Sequence, residues 1–114
     1  MSTRSDVGIA CKPKIQEQID ILFPWIKEAA DDMTFNDEGT LYHITDIKWY
    51  EMDGGDVERF YKWLKTQNHD DFIVVEACHD YPSTESSSGD LGSWTENPWN
   101  VRKAVHVSIK FNEI

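Results

Sequence analysis

A chain of 114 residues, 39% hydrophobic and 12% aromatic with five Trp, supports one core, is too short for two, and carries too many aromatics to be disordered throughout. Twenty-one acidic residues against eleven basic ones give a formal net charge of -10 and a pI near 4.6, a field that repels a phosphate backbone and attracts basic surfaces. Direct nucleic-acid binding is therefore disfavoured, and the expected partner is a protein with a basic surface, including one that normally holds nucleic acid.

The start, "MSTRSDVGIACKPK", has no apolar core of signal-peptide length, and no run of about eighteen apolar residues follows anywhere. The reading is a cytoplasmic protein without membrane contact. Cys11 and Cys78 lie far apart and outside any CxxC spacing, as free thiols of a reducing compartment do. Residues 1–12 read as a frayed start or an edge segment of a single domain spanning 1–114.

From Pro13 the pattern changes. Ile15, Ile19, Leu22 and Ile26 form one helical stripe, with Pro13 in the first turn. Pro24 removes an interior hydrogen bond, so the spacing predicts a kink near Phe23 or two short helices meeting there, ending around "AADDM". "TFNDEG" reads as a turn and "TLYHITDIKWYEM", Thr40 to Met52, as a strand. Asp53-Gly54-Gly55-Asp56 breaks it, with Asp53 or Asp56 as helix N-cap, and Val57, Phe60, Tyr61 and Leu64 mark a second helix that ends at "QNHDD".

"FIVVEACH", Phe72 to His79, is a short β-branched apolar run and reads as a buried central strand. "VRKAVHVSIKF" alternates strictly, with Val101, Val105, Val107, Ile109 and Phe111 on one side, and reads as a single final strand. The order helix, strand, helix, strand, strand predicts an α+β fold: a small, mainly antiparallel three-stranded sheet with two helices on one face. The last two strands are expected to pair as a hairpin with an oversized connection.

That connection, residues 80–100, is a long Ser/Gly/acidic loop with two tryptophans, past the ~12–15 residues after which a structureless loop tends to be functional or disordered. Leu91, Trp94 and Trp99 fall close together in its second half. Either the indoles fold back over the sheet and complete a core, or at least one stays exposed as a binding anchor. The open face of the sheet has two readings as well. The N-terminal segment or the loop covers it, or it stays open with an apolar strip inside a polar rim, carrying Tyr42, Tyr50 and His106 and, in one of two orientations of the middle strand, Glu76.

Catalytic and metal patterns are weak. Cys78 and His79 point to opposite faces of a strand, and a Cys78–His106 pairing across the hairpin has no elbow or oxyanion-hole motif beside it. His43, His69, His79 and His106 are scattered, Asp31-Asp32 and Asp53/Asp56 lack the alternation of a calcium loop, and Gly54-Gly55 lacks the Lys and Ser/Thr of a phosphate loop. No cofactor, metal or catalytic residue is assigned.

Acidic residues fall in clusters, three of which flank strand ends: Asp31, Asp32, Asp37 and Glu38, then Glu51, Asp53, Asp56 and Glu58, then Asp70 and Asp71, then Asp80, Glu85, Asp90 and Glu96. The functional expectation is a small acidic protein-binding module. By analogy of size and charge, its sharper form is an inhibitor of phage or mobile-element type, or a nuclease immunity protein. Such a protein mimics nucleic acid and blocks a nucleic-acid-handling partner through Trp94, Trp99, Leu91, Asp80, Glu85, Asp90, Glu96, Asp53 and Asp56. The alternative is a small-molecule-binding or enzymatic domain using Tyr42, Tyr50, Glu76 and His106. A homodimer through the apolar strip is compatible with both.

Overall fold

The computed structural model describes residues 4–49, 54–79, 89–104 and 108–110. In chain order these form β1 (Ser5–Cys11), α1 (Pro13–Leu22), α2 (Pro24–Ala29), β2 (Asp32–Asn36), β3 (Gly39–Ile47) and α3 (Asp56–Leu64). A 3-10 turn (His69–Asp71), β4 (Phe72–Cys78), β5 (Leu91–Gly92), β6 (Arg102–Ala104) and β7 (Ser108–Lys110) follow. The main sheet is antiparallel with five strands in the order β2-β3-β1-β4-β5, and β6 and β7 pair separately.

The α+β class stands, but the three-stranded sheet is corrected to five strands, with three α-helices in place of two. The largest departure is β1. The segment expected to be a frayed start is the central strand, with Ile9 paired to Tyr42 on one side and to Val74 on the other. Its sequence "VGIAC" is an unbroken run of apolar and small residues, the form a strand takes when both faces are buried. The segment read as a turn splits into β2 and a tight connection. Asn36 Oδ1 accepts from the N–H groups of Glu38 (2.8 Å) and Gly39 (3.3 Å), an Asx turn that holds Asp37 and Glu38 at an exposed tip.

The final strand is also corrected. Arg102 pairs with Lys110, Lys103 with Ile109 and Ala104 with Ser108, so the alternating segment folds back on itself as a hairpin that lies against β4 and β1. The strand that pairs with β4 on its outer side is instead β5, inside the loop.

The interior proline acts as its chemistry requires. α1 stops at Leu22, Phe23 leaves helical geometry (φ -134°, ψ 61°), and Pro24 opens α2 at a position where its missing N–H costs nothing. Phe23 turns into the core, with its ring centroid 5.4 Å from Phe60 and 5.5 Å from Trp63.

The helices pack on one face, where Ile15, Ile19, Ile26, Val57, Phe60 and Leu64 meet Val7, Ile9, Ile44, Phe72 and Val74. The other face presents Ala10, Leu41, Val75 and Ala77, and Trp94, Trp99 and Val101 close over them. The central strands of the sheet are therefore covered on both sides, while β2 at its edge stays largely open. Among the described residues, no helix is long and apolar enough to cross a membrane.

Candidate protein-binding surface

The second half of the long loop is held by its own hydrogen bonds. Ser93 N–H donates to His69 O (2.8 Å) and Trp94 N–H to Phe72 O (3.2 Å), which fixes the chain against the start of β4. Asn97 then brackets the turn. Its Oδ1 accepts from Val101 N–H (2.9 Å) and its Nδ2 donates to Val101 O (3.2 Å). Asn97 (φ 34°) and Asn100 (φ 50°) take left-handed backbone, which Asn tolerates better than most residues.

This frame presses two indoles onto the sheet. Trp94 is 3% exposed and Trp99 fully buried, their rings 6.5 Å apart in a T-shaped arrangement. Among the described residues neither indole N–H meets an acceptor. The fit depends on small residues beneath: a Cβ at Gly39 would lie 2.0 Å from the Cys11 carbonyl oxygen and 3.1 Å from the Trp94 ring. Leu91 does not join the indoles. It lies in β5 and packs, half-buried, against the helix-side core.

The acidic residues divide into those used inside the fold and those left outside. Asp90 is half-buried and accepts from Glu76 N–H (3.0 Å), which ties the loop's return to β4. Asp56 is the first residue of α3 and pairs with Arg59, while the N-cap position falls to Gly55. Asp71, 6% exposed, holds Lys12 and Lys14 at 3.2 Å each. Burial pushes its carboxyl up, but the two ammonium groups outweigh that and hold it below its ordinary value. This bridge joins the β1–α1 junction to the start of β4, and no sequence spacing announces it. Asp31, exposed, accepts from Thr45 Oγ1 (2.6 Å) and Thr45 N–H (2.7 Å), and these bonds lower its carboxyl as well.

Glu96 stands apart from these. With Asp37, Glu38, Asn36 and Pro98 it lines an open notch of ≈ 600 Å³ between the β2–β3 tip and the tryptophan loop. Among the described residues no Lys or Arg pairs with any of its three carboxylates. Sequence reasoning grouped Glu96 with Asp80, Glu85 and Asp90, and Asp37 and Glu38 with Asp31 and Asp32. Their convergence follows from the Asx turn and the Asn97 bracket, neither of which is visible as a periodic pattern. Asp53, Asp80 and Glu85 lie outside the described residues.

Of the residues grouped as an open-face pocket, the structure describes two, Tyr42 and Glu76. Tyr42 points to the helix side, fully buried, and its hydroxyl donates to Asp20 Oδ1 (2.7 Å). Burial, then the bond to Asp20, raises its phenol far above the ordinary value, so it stays neutral. Glu76 accepts from Ser5 Oγ (2.8 Å) near the other end of β1. Tyr50 and His106 lie outside the described residues. Cys11 is sealed in the core, where burial raises its thiol well above the range of a nucleophile. Among the described residues no group of His, Cys, Asp and Glu has the arrangement of a metal site.

Beside the notch, on the helix side, a second groove of ≈ 350 Å³ runs along β2, lined by Met33 and Phe35 of that strand, Pro13 and Gln16 of α1, Lys27 of α2 and, again, Asn36. Phe35 is 77% exposed, the most open large apolar side chain among the described residues. Comparison of the chain with protein-family models, curated proteins and solved structures finds no match in any of the three. What the fold and the surface define together is a class, an acidic α+β domain whose central strands are covered on both faces and whose β2 edge carries an exposed Phe35 beside an acidic notch.

Proposed function

We infer that the protein is a small binding module that engages a basic surface of a protein partner, through an acidic rim centred on Asp37, Glu38 and Glu96. One observation carries this reading: two loops far apart in sequence bring three carboxylates to one open notch, where among the described residues no cation neutralises them. Uncompensated like charges repel one another, and a partner's Lys or Arg relieves that repulsion on binding. The net charge of -10 adds long-range steering toward the same kind of partner. In its sharper form the module is an inhibitor, seated in a groove that otherwise holds a phosphate backbone.

The test is affinity capture with the immobilised chain, beside the triple variant Asp37→Asn/Glu38→Gln/Glu96→Gln, at ~0.1 M and ~1 M salt, where the screening length falls from ~10 Å to ~3 Å. The expected result is a nucleic-acid-handling protein held by the wild type at low salt, released at high salt, and lost by the variant. Retention indifferent to both salt and variant overturns the reading.

A further inference from the structure

We propose that the free edge of β2 takes up an extended segment of the partner as an added antiparallel or parallel strand, and that this segment alternates apolar and basic side chains. The proposal rests on the acidic-rim reading and specifies the partner's shape. Three observations carry it: an open edge, an apolar groove along that edge, and the sign of the charges around it.

β2 ends the sheet order, and among the described residues no strand pairs with its outer side. Every second residue of such a strand directs its N–H and C=O outward, a ready template for another chain. Its two faces have different chemistry. Met33 pairs with Tyr42 and shares the helix side, as does Phe35, while Asp32 and Thr34, paired with His43 and Leu41, lie on the opposite face. Side chains directly across an added ladder would stand about 4.5–5.5 Å apart. An apolar residue beside Phe35 then covers a ring that is 77% exposed, and a residue on the other face meets Asp32.

Charge fixes the occupant. Asp31 and Asp32 stand at the start of β2 and Asp37 and Glu38 just past its end, four carboxylates against the single Lys27 of the groove. Asn36 lines both the apolar groove and the acidic notch, so an added strand runs directly into the carboxylates of Asp37, Glu38 and Glu96. A second copy of this chain is a poor occupant, because β2 itself supplies an acid and no base, and two chains of net charge -10 would lie side by side. The acids that discourage self-pairing select a basic strand.

Selection from a random 12-residue peptide display library on the wild-type chain, followed by fluorescence polarisation with the most enriched peptide, tests this. Enriched sequences are expected to alternate apolar residues with Lys or Arg. Methylating alternate backbone nitrogens of the peptide is expected to weaken binding by about tenfold or more, the loss of one or two hydrogen bonds. Bound peptide is expected to slow amide exchange within residues 32–36 of the otherwise unaltered protein, a readout that needs no variant to fold. Basic peptides that lose affinity on Asp37→Asn/Glu38→Gln/Glu96→Gln, but ignore backbone methylation and leave β2 exchange unchanged, overturn strand addition and keep the acidic-rim reading. Enrichment of peptides without basic residues overturns both. A chain that sediments as a dimer with β2 amides protected makes a second copy the occupant, and that too overturns the proposal.

Discussion

The two faces of the central strands are closed by opposite means. On the helix side, α1 and α3 each bury a periodic apolar stripe, α2 adds Ile26, and Phe60 sits among the rings of Phe23, Trp25, Trp49, Tyr61 and Trp63 at centroid separations of 5.4–6.5 Å. On the other side an irregular segment supplies two indoles, and the sheet beneath offers small side chains such as Ala10 and Ala77. Packing to the density of a protein interior explains the match: large covers need small floors, and neither side needs regular secondary structure to reach it. A loop can thus serve as a structural layer when its backbone is bracketed, as Asn97 brackets this one.

That contrast can be broken at either face. Phe60→Ala removes the centre of the aromatic network and is expected to lower stability by ~4–5 kcal/mol, read as a fall in the denaturant midpoint. Trp99→Ala is expected to cost ~3–5 kcal/mol in the same measurement, because the loop layer is core as well. A loss below ~1 kcal/mol would show instead that the loop is dispensable cover. Trp99→Phe sharpens the point. Among the described residues the indole N–H of Trp99 has no acceptor, so losing it leaves no partner stranded, and the cost is expected to stay near ~1–2 kcal/mol, mostly lost volume.

Asp71→Asn is expected to cost about 1–2 kcal/mol, discounted because Lys14 is largely exposed. Its pH dependence has a definite sign. The folded carboxyl lies below its ordinary 3.8, so its stabilisation is fully present above that value and drains away as the pH falls through the depressed folded value. The variant's acid-unfolding curve should therefore be flatter than the wild type's below about pH 4. Smallest of all, Asp37→Asn/Glu38→Gln/Glu96→Gln is expected to move the unfolding midpoint by an amount within ~0.5 kcal/mol, while altering binding to a basic partner.

The helix face was largely legible in the sequence, because a helix that covers a sheet must show its stripe: Ile15, Ile19 and Ile26, broken where Pro24 demands it, then Val57, Phe60, Tyr61 and Leu64; Leu22, read into the first stripe, is instead exposed at the end of α1. β4 was legible as a compact β-branched run. The rest was hidden for separate reasons. β1 has small residues on its loop-facing side, Gly8 and Ala10, so its pattern lacks bulk. β2 is an edge strand rich in polar residues and reads like the turn that follows it. In the β6–β7 pair, partners such as Arg102 and Lys110 are an even number of residues apart, so one long strand and a paired hairpin give the same alternating sequence pattern. Of the surface, Glu96 was legible as acidic, but its meeting with Asp37 and Glu38 depends on two side-chain-to-backbone brackets that carry no periodicity.

The central position of β1 has a consequence for how the chain is made. On a ribosome, this strand is synthesised ahead of both its neighbours, and its second neighbour, β4, comes only after three helices have been added. Until β3 emerges "VGIAC" has neither ladder to join, and until β4 emerges it has only one, so folding must wait for distant partners, the situation that slows non-local β pairing and exposes apolar backbone to other chains. α1 follows at once and carries Ile15 and Ile19, side chains that end in the same core as Val7 and Ile9. During synthesis that helix is the first shelter the strand can find, a chaperone written into the next ten residues of its own chain.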